Sequence, residues 1–133
     1  MKKIKTLIIS AALAALCLTG CAKYTSHYDA ICFVHSNTSH SAYMDFSVFN
    51  GTMVFTLDND AGESGSLSYT ASLEKGTAEV YCDRSGEKEK LFSLKAGDDL
   101  QGTLSLSGCE SVYVIVETSG DCENGKLDLS TEK

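Results

Sequence analysis

The 133-residue chain contains no proline and no tryptophan, and only 8% of it is aromatic. Without proline, turns must be made by Gly, Asn and Asp. Without tryptophan, the largest stacking ring is missing, and only six tyrosines and five phenylalanines can serve in its place. Basic residues are scarce too: 11 Lys and Arg stand against 18 acids, a net charge of −7. Such a surface repels phosphate backbones, so nucleic acid is excluded as a partner. No Cys-x-x-Cys pair occurs, which removes the usual framework of a zinc ribbon or dithiol redox catalyst. No Gly-x-Ser-x-Gly occurs; Gly62-Glu63-Ser64-Gly65 has the wrong spacing for a nucleophile elbow.

The N-terminus is the one strongly patterned stretch. Lys2, Lys3 and Lys5 precede an apolar run from Leu7 to Leu18 that only Ser10 interrupts. The run is too short to span a bilayer and has the layout of a secretory signal. It closes on Leu18-Thr19-Gly20-Cys21, which resembles the lipobox of a bacterial lipoprotein. The resemblance implies cleavage between Gly20 and Cys21 and a diacylglycerol on the Cys21 thiol. It therefore implies a membrane partner through that lipid and a place on the extracytoplasmic side of the cell envelope. The domain plan that follows is a signal peptide at 1–20, a tether at 21–29 and a folded domain at 30–133. Removing the signal takes three lysines and leaves 8 basic residues against 18 acidic ones, or −10.

The remaining chain reads as strands. Asn50-Gly51 is a strong two-residue hairpin signal between Tyr43–Phe49 and Thr52–Leu57. It would pair Val48 with Met53, Phe46 with Phe55 and Met44 with Leu57, all six on one face. Gly76, Gly86, Gly97, Gly108 and Gly120 then recur every ten to twelve residues. Short alternating runs lie between them: Tyr69, Ala71 and Leu73; Ala78, Val80 and Cys82; Leu91–Leu94; Leu104 and Leu106; Leu127 and Leu129. Val112–Val116 is apolar on both faces and suits a central strand. The expected fold is an all-β, single-domain antiparallel sandwich of eight or nine short strands. The rhythm from Gly65 to Thr131 is similar to that of small bacterial β-sandwich lipoproteins, a likeness that brings no functional residues with it.

Cys32, Cys82, Cys109 and Cys122 form an even set in a chain read as exported, which suggests two disulfides. Cys109 and Cys122 bracket one strand, about 20 Å apart at ~3.3 Å per residue, which makes theirs the least favoured pairing. An up-and-down meander would favour Cys82–Cys109 with Cys32–Cys122. The alternative is four reduced cysteines packed as small hydrophobes.

Four groups of residues invite a chemical reading. Asp58, Asp60 and Glu63 share a loop with Asn59 and could offer oxygen ligands to calcium, but the spacing is not that of an EF-hand. Asp98-Asp99 and Asp121 with Glu123 raise the same thought. Cys32, His35 and His40, with His27, are zinc or copper ligand types, yet strand alternation sends them to opposite faces. Among Tyr43, Tyr69, Tyr81 and Tyr113, Tyr81 has the parity of Thr77 and Glu79 and is the best candidate for an exposed ring. A solvated turn, surface histidines and packed tyrosines explain the same residues without a site. No metal, cofactor or catalytic residue is therefore assigned. The leading expectation is a non-catalytic module that binds a protein or a glycan. The alternatives are an accessory envelope subunit without a ligand and, third, a small metal-dependent enzyme. Metabolic labelling with a radioactive fatty acid should mark the wild type and leave Cys21→Ser unlabelled; an unlabelled wild type would remove the anchor.

Overall fold

The structure is a computed structural model and describes residues 23–131. The signal peptide, its cleavage point at Gly20 and the lipidation position Cys21 lie outside the described residues. Nine strands follow in order: β1 (His27–Ile31), β2 (Val34–Asn37), β3 (Ser41–Asp58), β4 (Ser66–Lys75), β5 (Thr77–Asp83), β6 (Lys88–Lys95), β7 (Asp99–Ser105), β8 (Ser111–Thr118) and β9 (Cys122–Thr131). One 3-10 turn, Gly62–Ser64, interrupts them. Among the described residues no helix is long and apolar enough to cross a membrane. Every pairing is antiparallel, and the strands run β6-β5-β8-β3-β9-β4-β7, with β1 and β2 also on β3. The expected antiparallel sandwich is therefore the fold, but the meander is not. Chain neighbours β4 and β5 do not pair; the first joins β7 and β9, the second β6 and β8.

β3 is the strand both sheets share. Residues 41–49 pair with β9, and residues 52–58 pair with β8. A straight strand of this length would be about 60 Å long at ~3.3 Å per residue. β3 instead folds back on itself, because Thr131 reaches both of its ends. The Thr131 N–H donates to His40 O at 2.8 Å and its hydroxyl to Asp58 O at 2.8 Å. The reversal falls at Asn50-Gly51, where a turn was expected. The hairpin register was not found. Met44 faces Leu127, Phe46 faces Gly125, Phe55 faces Val114 and Leu57 faces Val112.

The reason lies in residues assigned above to a tether. His27–Asp29 are the first half of β1, which lies along the inner edge of the bend with Tyr28 opposite Gly51 and Asp29 opposite Asn50. β2 follows against residues 42–45, and Asn37 also reaches the other arm. Its side-chain amide donates to Thr56 O at 2.8 Å and accepts the Thr56 N–H at 3.0 Å. The N-terminal ribbon thus wedges the two arms apart, and each arm joins its own sheet. Gly51 permits the close approach. Its φ is +139°, and a Cβ there would lie 2.6 Å from Tyr28 Cα. Gly76 plays a like part where the chain crosses between sheets: φ is +100°, and a Cβ would come within 2.8 Å of Cys122.

Inward residues fill the space between the sheets. Phe49, Phe55, Leu57, Leu67, Leu106, Val112 and Val114 are fully buried. β8 is central, as its sequence indicated, with Ile115 on its second face also buried. Five of the six side chains expected to share the hairpin face are buried; Val48 is half-exposed.

Neither expected disulfide is present: Cys32, Cys82, Cys109 and Cys122 are free thiols. Cys32–Cys122 fails on topology. Phe49 pairs with Ala30 across one edge and with Cys122 across the other, so β3 stands between them. Two strand spacings are about 10 Å, beyond the ~7 Å that a disulfide spans. Cys82 shares the inward face of β5 with Ala78 and Val80, whereas the Cys109 thiol turns to Ser107 O. Burial pushes the Cys82 and Cys122 thiols up, away from reactive thiolate.

Gly51→Ala should cost about 1–3 kcal/mol of stability, read from urea unfolding, through strain at a positive φ and backbone overlap. Gly86→Ala, at φ +104° but facing open space, should cost clearly less. Equal losses would show that the crowding at Tyr28 does not matter.

Candidate functional site

The main concavity lies on the outer face of the sheet β3-β9-β4-β7 and has a volume of about 660 Å³. Register places its outward side chains in rows across the four strands. One row is Ser41, Ser130, Ser68 and Thr103; the next is Tyr43, Asp128, Thr70 and Gln101. A third row, Asp45, Lys126, Ser72 and Asp99, continues it, and a smaller hollow of about 210 Å³ opens there. Between the rows, alternation turns Ala42, Leu129 and Tyr69 to the other face, so only their backbone floors the groove. The groove is therefore walled by hydroxyls, one amide and carboxylates, with a single ring. That ring is held: the Tyr43 hydroxyl donates to Asp45 Oδ2 at 3.0 Å, and this bond raises its pKa above the ordinary tyrosine value. Asp45, Asp99 and Asp128 outnumber Lys126, so the groove disfavours anionic ligands.

A second hollow, about 540 Å³, lies where the N-terminal segment docks. Asp83 is buried, with its side chain 3% exposed. Its Oδ2 accepts the Tyr24 hydroxyl at 2.6 Å and the Lys23 ammonium at 3.0 Å; its Oδ1 accepts the Gly86 N–H at 2.7 Å. Lys23 also donates to Gly86 O at 2.9 Å, and the Tyr24 ring meets Tyr113 edge-on at 5.1 Å. Two residues on, Ser26 Oγ accepts the Val54 N–H at 2.8 Å. Burial alone would push the Asp83 carboxyl up, but the bonds from Tyr24, Lys23 and Gly86 outweigh it and hold its pKa below the usual value. The same bond to Asp83, then burial, pushes Tyr24 up to about 12.

The residues singled out from sequence are dispersed. Asn59 is buried and shares its amide protons among the carbonyls of Gly62, Leu106 and Cys109, while its oxygen accepts the Ala61 N–H. It is the post around which the 58–65 loop is built. Asp60 pairs with His40 at 2.7 Å. Asp98 accepts the Lys95 N–H, Asp121 accepts the Asn50 amide, and Glu123 faces Lys75. His35 stacks on Phe33 at 4.7 Å, Cys32 is exposed at the β1–β2 turn, and His27 opens β1. Among the described residues no three His, Cys, Asp or Glu converge as a metal site. Tyr81 is not the exposed ring: it is half-buried with the Lys88 ammonium 4.5 Å from its centroid. Tyr69 stacks on Phe92 at 4.8 Å, and Tyr113 packs against Tyr24. Tyr43 is the tyrosine the groove uses. The Ser68, Thr70 and Ser72 alternation was its visible signal; nothing in the sequence marked Asp83 as buried.

No family model matches the chain, and no curated protein matches it. Solved structures with a similar chain trace include PliG of Aeromonas hydrophila, a periplasmic lysozyme inhibitor of g-type lysozyme, at 15% identity. That match covers 71% of this chain and 88% of PliG, with a TM-score of 0.46. TmCBM61 in complex with β-1,4-galactotriose matches at 9% identity over 81% of this chain and 88% of its own, with a TM-score of 0.49. The C-terminal CBM6 of LamC from Zobellia galactanivorans matches at 12% identity over 78% and 90%, with a TM-score of 0.41.

The signs of the two shifts at the docked segment set a pH window. A lowered Asp83 value makes its contribution complete above about pH 4 and lost as the pH falls through the lower folded value. A raised Tyr24 value makes its contribution complete below about pH 10 and lost as the pH climbs through about 12. Asp83→Asn and Tyr24→Phe should each cost about 1–3 kcal/mol at pH 7. In thermal melts the gap between wild type and Asp83→Asn should begin to narrow below about pH 4 and go on narrowing as the pH falls through the lower folded value.

Proposed function

We propose that this protein is a non-catalytic binding module of the bacterial cell envelope, anchored through Cys21, that holds a neutral, hydroxyl-rich glycan in the groove of the β3-β9-β4-β7 sheet. The groove's composition carries this reading: three successive rows of Ser, Thr, Gln and Asp with one Lys, and Tyr43 fixed among them. Sugars offer many hydroxyls, each a donor and an acceptor, and a polar sheet face answers them with fixed partners. Their C–H faces settle on an aromatic ring, a place that Tyr43 can fill. Four strands span about 14 Å across the sheet, room for a chain segment rather than a single ion. Short turns leave no wall of loops to enclose a reacting bond, which favours holding over cleaving. The anchor rests on the Leu18-Thr19-Gly20-Cys21 signal.

A protein partner is the second reading, and a different surface favours it. On the N-terminal ribbon Tyr28, Ile31 and Val34 are 39%, 59% and 61% exposed. Exposed apolar groups on a strand suit a partner that adds along it.

Affinity electrophoresis in gels containing xylan, galactomannan or hydroxyethyl cellulose tests the first reading. Retardation by one of them should be weakened about tenfold by Tyr43→Ala or Gln101→Ala, a loss of about 1.4 kcal/mol, without a change in melting temperature. If none of the three retards the wild type, the groove is not a glycan site of this class.

A further inference from the structure

We infer that the lipid holds this domain upright on the bilayer, with the Asp83 end down, rather than letting it swing on a flexible tether. The inference rests on the reading of Cys21 as the anchor and adds to it the orientation of the domain.

Residues 21–29 as a free tether would reach about 30 Å at up to ~3.6 Å per residue. The structure removes nearly all of that reach. Lys23 and Tyr24 are bound to Asp83, Ser26 is bound to Val54, and β1 begins at His27. Only Ala22 separates Lys23 from Cys21. Two residues can span about 7 Å at most. The diacylglycerol must then enter the bilayer close to the Lys23 backbone, whose side chain reaches the Asp83 carboxylate.

The clamp sits at one end of the sandwich. Asp83 pairs with Tyr113 near the start of β8, and Arg84 reaches Ser105 O at the end of β7. Asn59 ties the β7–β8 turn to the end of β3, and Thr131 ties β9 to the same place. The opposite end carries Gly51, Gly76 and Gly120. The two ends are separated by the length of β8, Ser111–Thr118, or about 23 Å. A buried carboxylate that accepts three hydrogen bonds is a stiff joint, and the Tyr24 ring on Tyr113 resists rotation about it.

Orientation bears on the groove. Its first row, Ser41, Ser130, Ser68 and Thr103, lies at the clamped end, because Ser41 and Ser130 adjoin the His40–Thr131 bond. The groove would open beside the lipid headgroups, and a ligand in it would be a polymer that runs close along the membrane surface.

The absence of tryptophan provides a clean probe. Ser85→Trp places a lone indole in the exposed β5–β6 turn at the clamped end, and Ser119→Trp places one in the exposed β8–β9 turn at the far end. Each lipidated protein, purified from membranes, is reconstituted in phosphatidylcholine vesicles carrying a headgroup nitroxide lipid. Ser85→Trp fluorescence should be quenched at least threefold more than that of Ser119→Trp. Adding Tyr24→Phe and Asp83→Asn to Ser85→Trp should erase most of the difference, with circular dichroism confirming that the sheet persists. Equal quenching of the two probes in membrane-bound protein, or stronger quenching at Ser119→Trp, overturns the orientation and leaves the anchor standing. Protein that does not associate with vesicles at all overturns the anchor, and the orientation with it.

Discussion

At Gly51 the backbone of β3 lies against that of β1 so closely that no side chain fits between them, and the rest of the sandwich depends on that contact. The N-terminal ribbon occupies the inner edge of the bend, so the two arms of β3 cannot pair with each other. Each must find its hydrogen bonds on the outer edge instead. One arm takes β9 and the other takes β8, and the two sheets grow outward from those choices. A buried backbone group without a partner is costly, so the wedge propagates through the whole strand order. The free cysteines follow from the same arrangement. β3 separates Cys122 from the ribbon that carries Cys32, and the inward face of β5 holds Cys82 in the core.

The ribbon also connects the fold to the proposed anchor. Its leading residues are bound before β1 begins, through a carboxylate that burial would otherwise disfavour. Asp83 remains charged there because Tyr24, Lys23 and the Gly86 N–H all donate to it. An ionised, buried group held on three sides restrains its partners in direction as well as distance. On the opposite sheet, alternation does the reverse: it exposes one small polar side chain after another and leaves a shallow face with a single ring. A stiff N-terminal joint and an open, hydroxyl-rich face are the two features on which the proposed function rests.

Much of the local structure was legible in the residues. Each of Gly76, Gly86, Gly97, Gly108 and Gly120 lies at a positive φ between consecutive strands, because only glycine takes that conformation without strain. The apolar run 112–116 became a covered central strand, and the alternating residues of β4, β5 and β9 turned inward as their period required. The reversal at Asn50-Gly51 was legible too, since it depends on the backbone freedom of Gly51. The groove was half legible: Ser68, Thr70 and Ser72 announced a polar face, but not that Tyr43, Asp128 and Gln101 would line up with it.

The sequence by itself determined where the glycine turns after β4 fall, which side chains of β4, β5, β8 and β9 face inward, and the charge of the chain, because each of these is set by residues close together in the chain. Only the tertiary structure decided which strand lies beside which, because alternation specifies a face and says nothing about a neighbour. For the same reason the ribbon in the bend, the buried Asp83 and the rows of the groove came from contacts between residues dozens of positions apart. No local pattern records such contacts; they exist only once the chain has closed around its core.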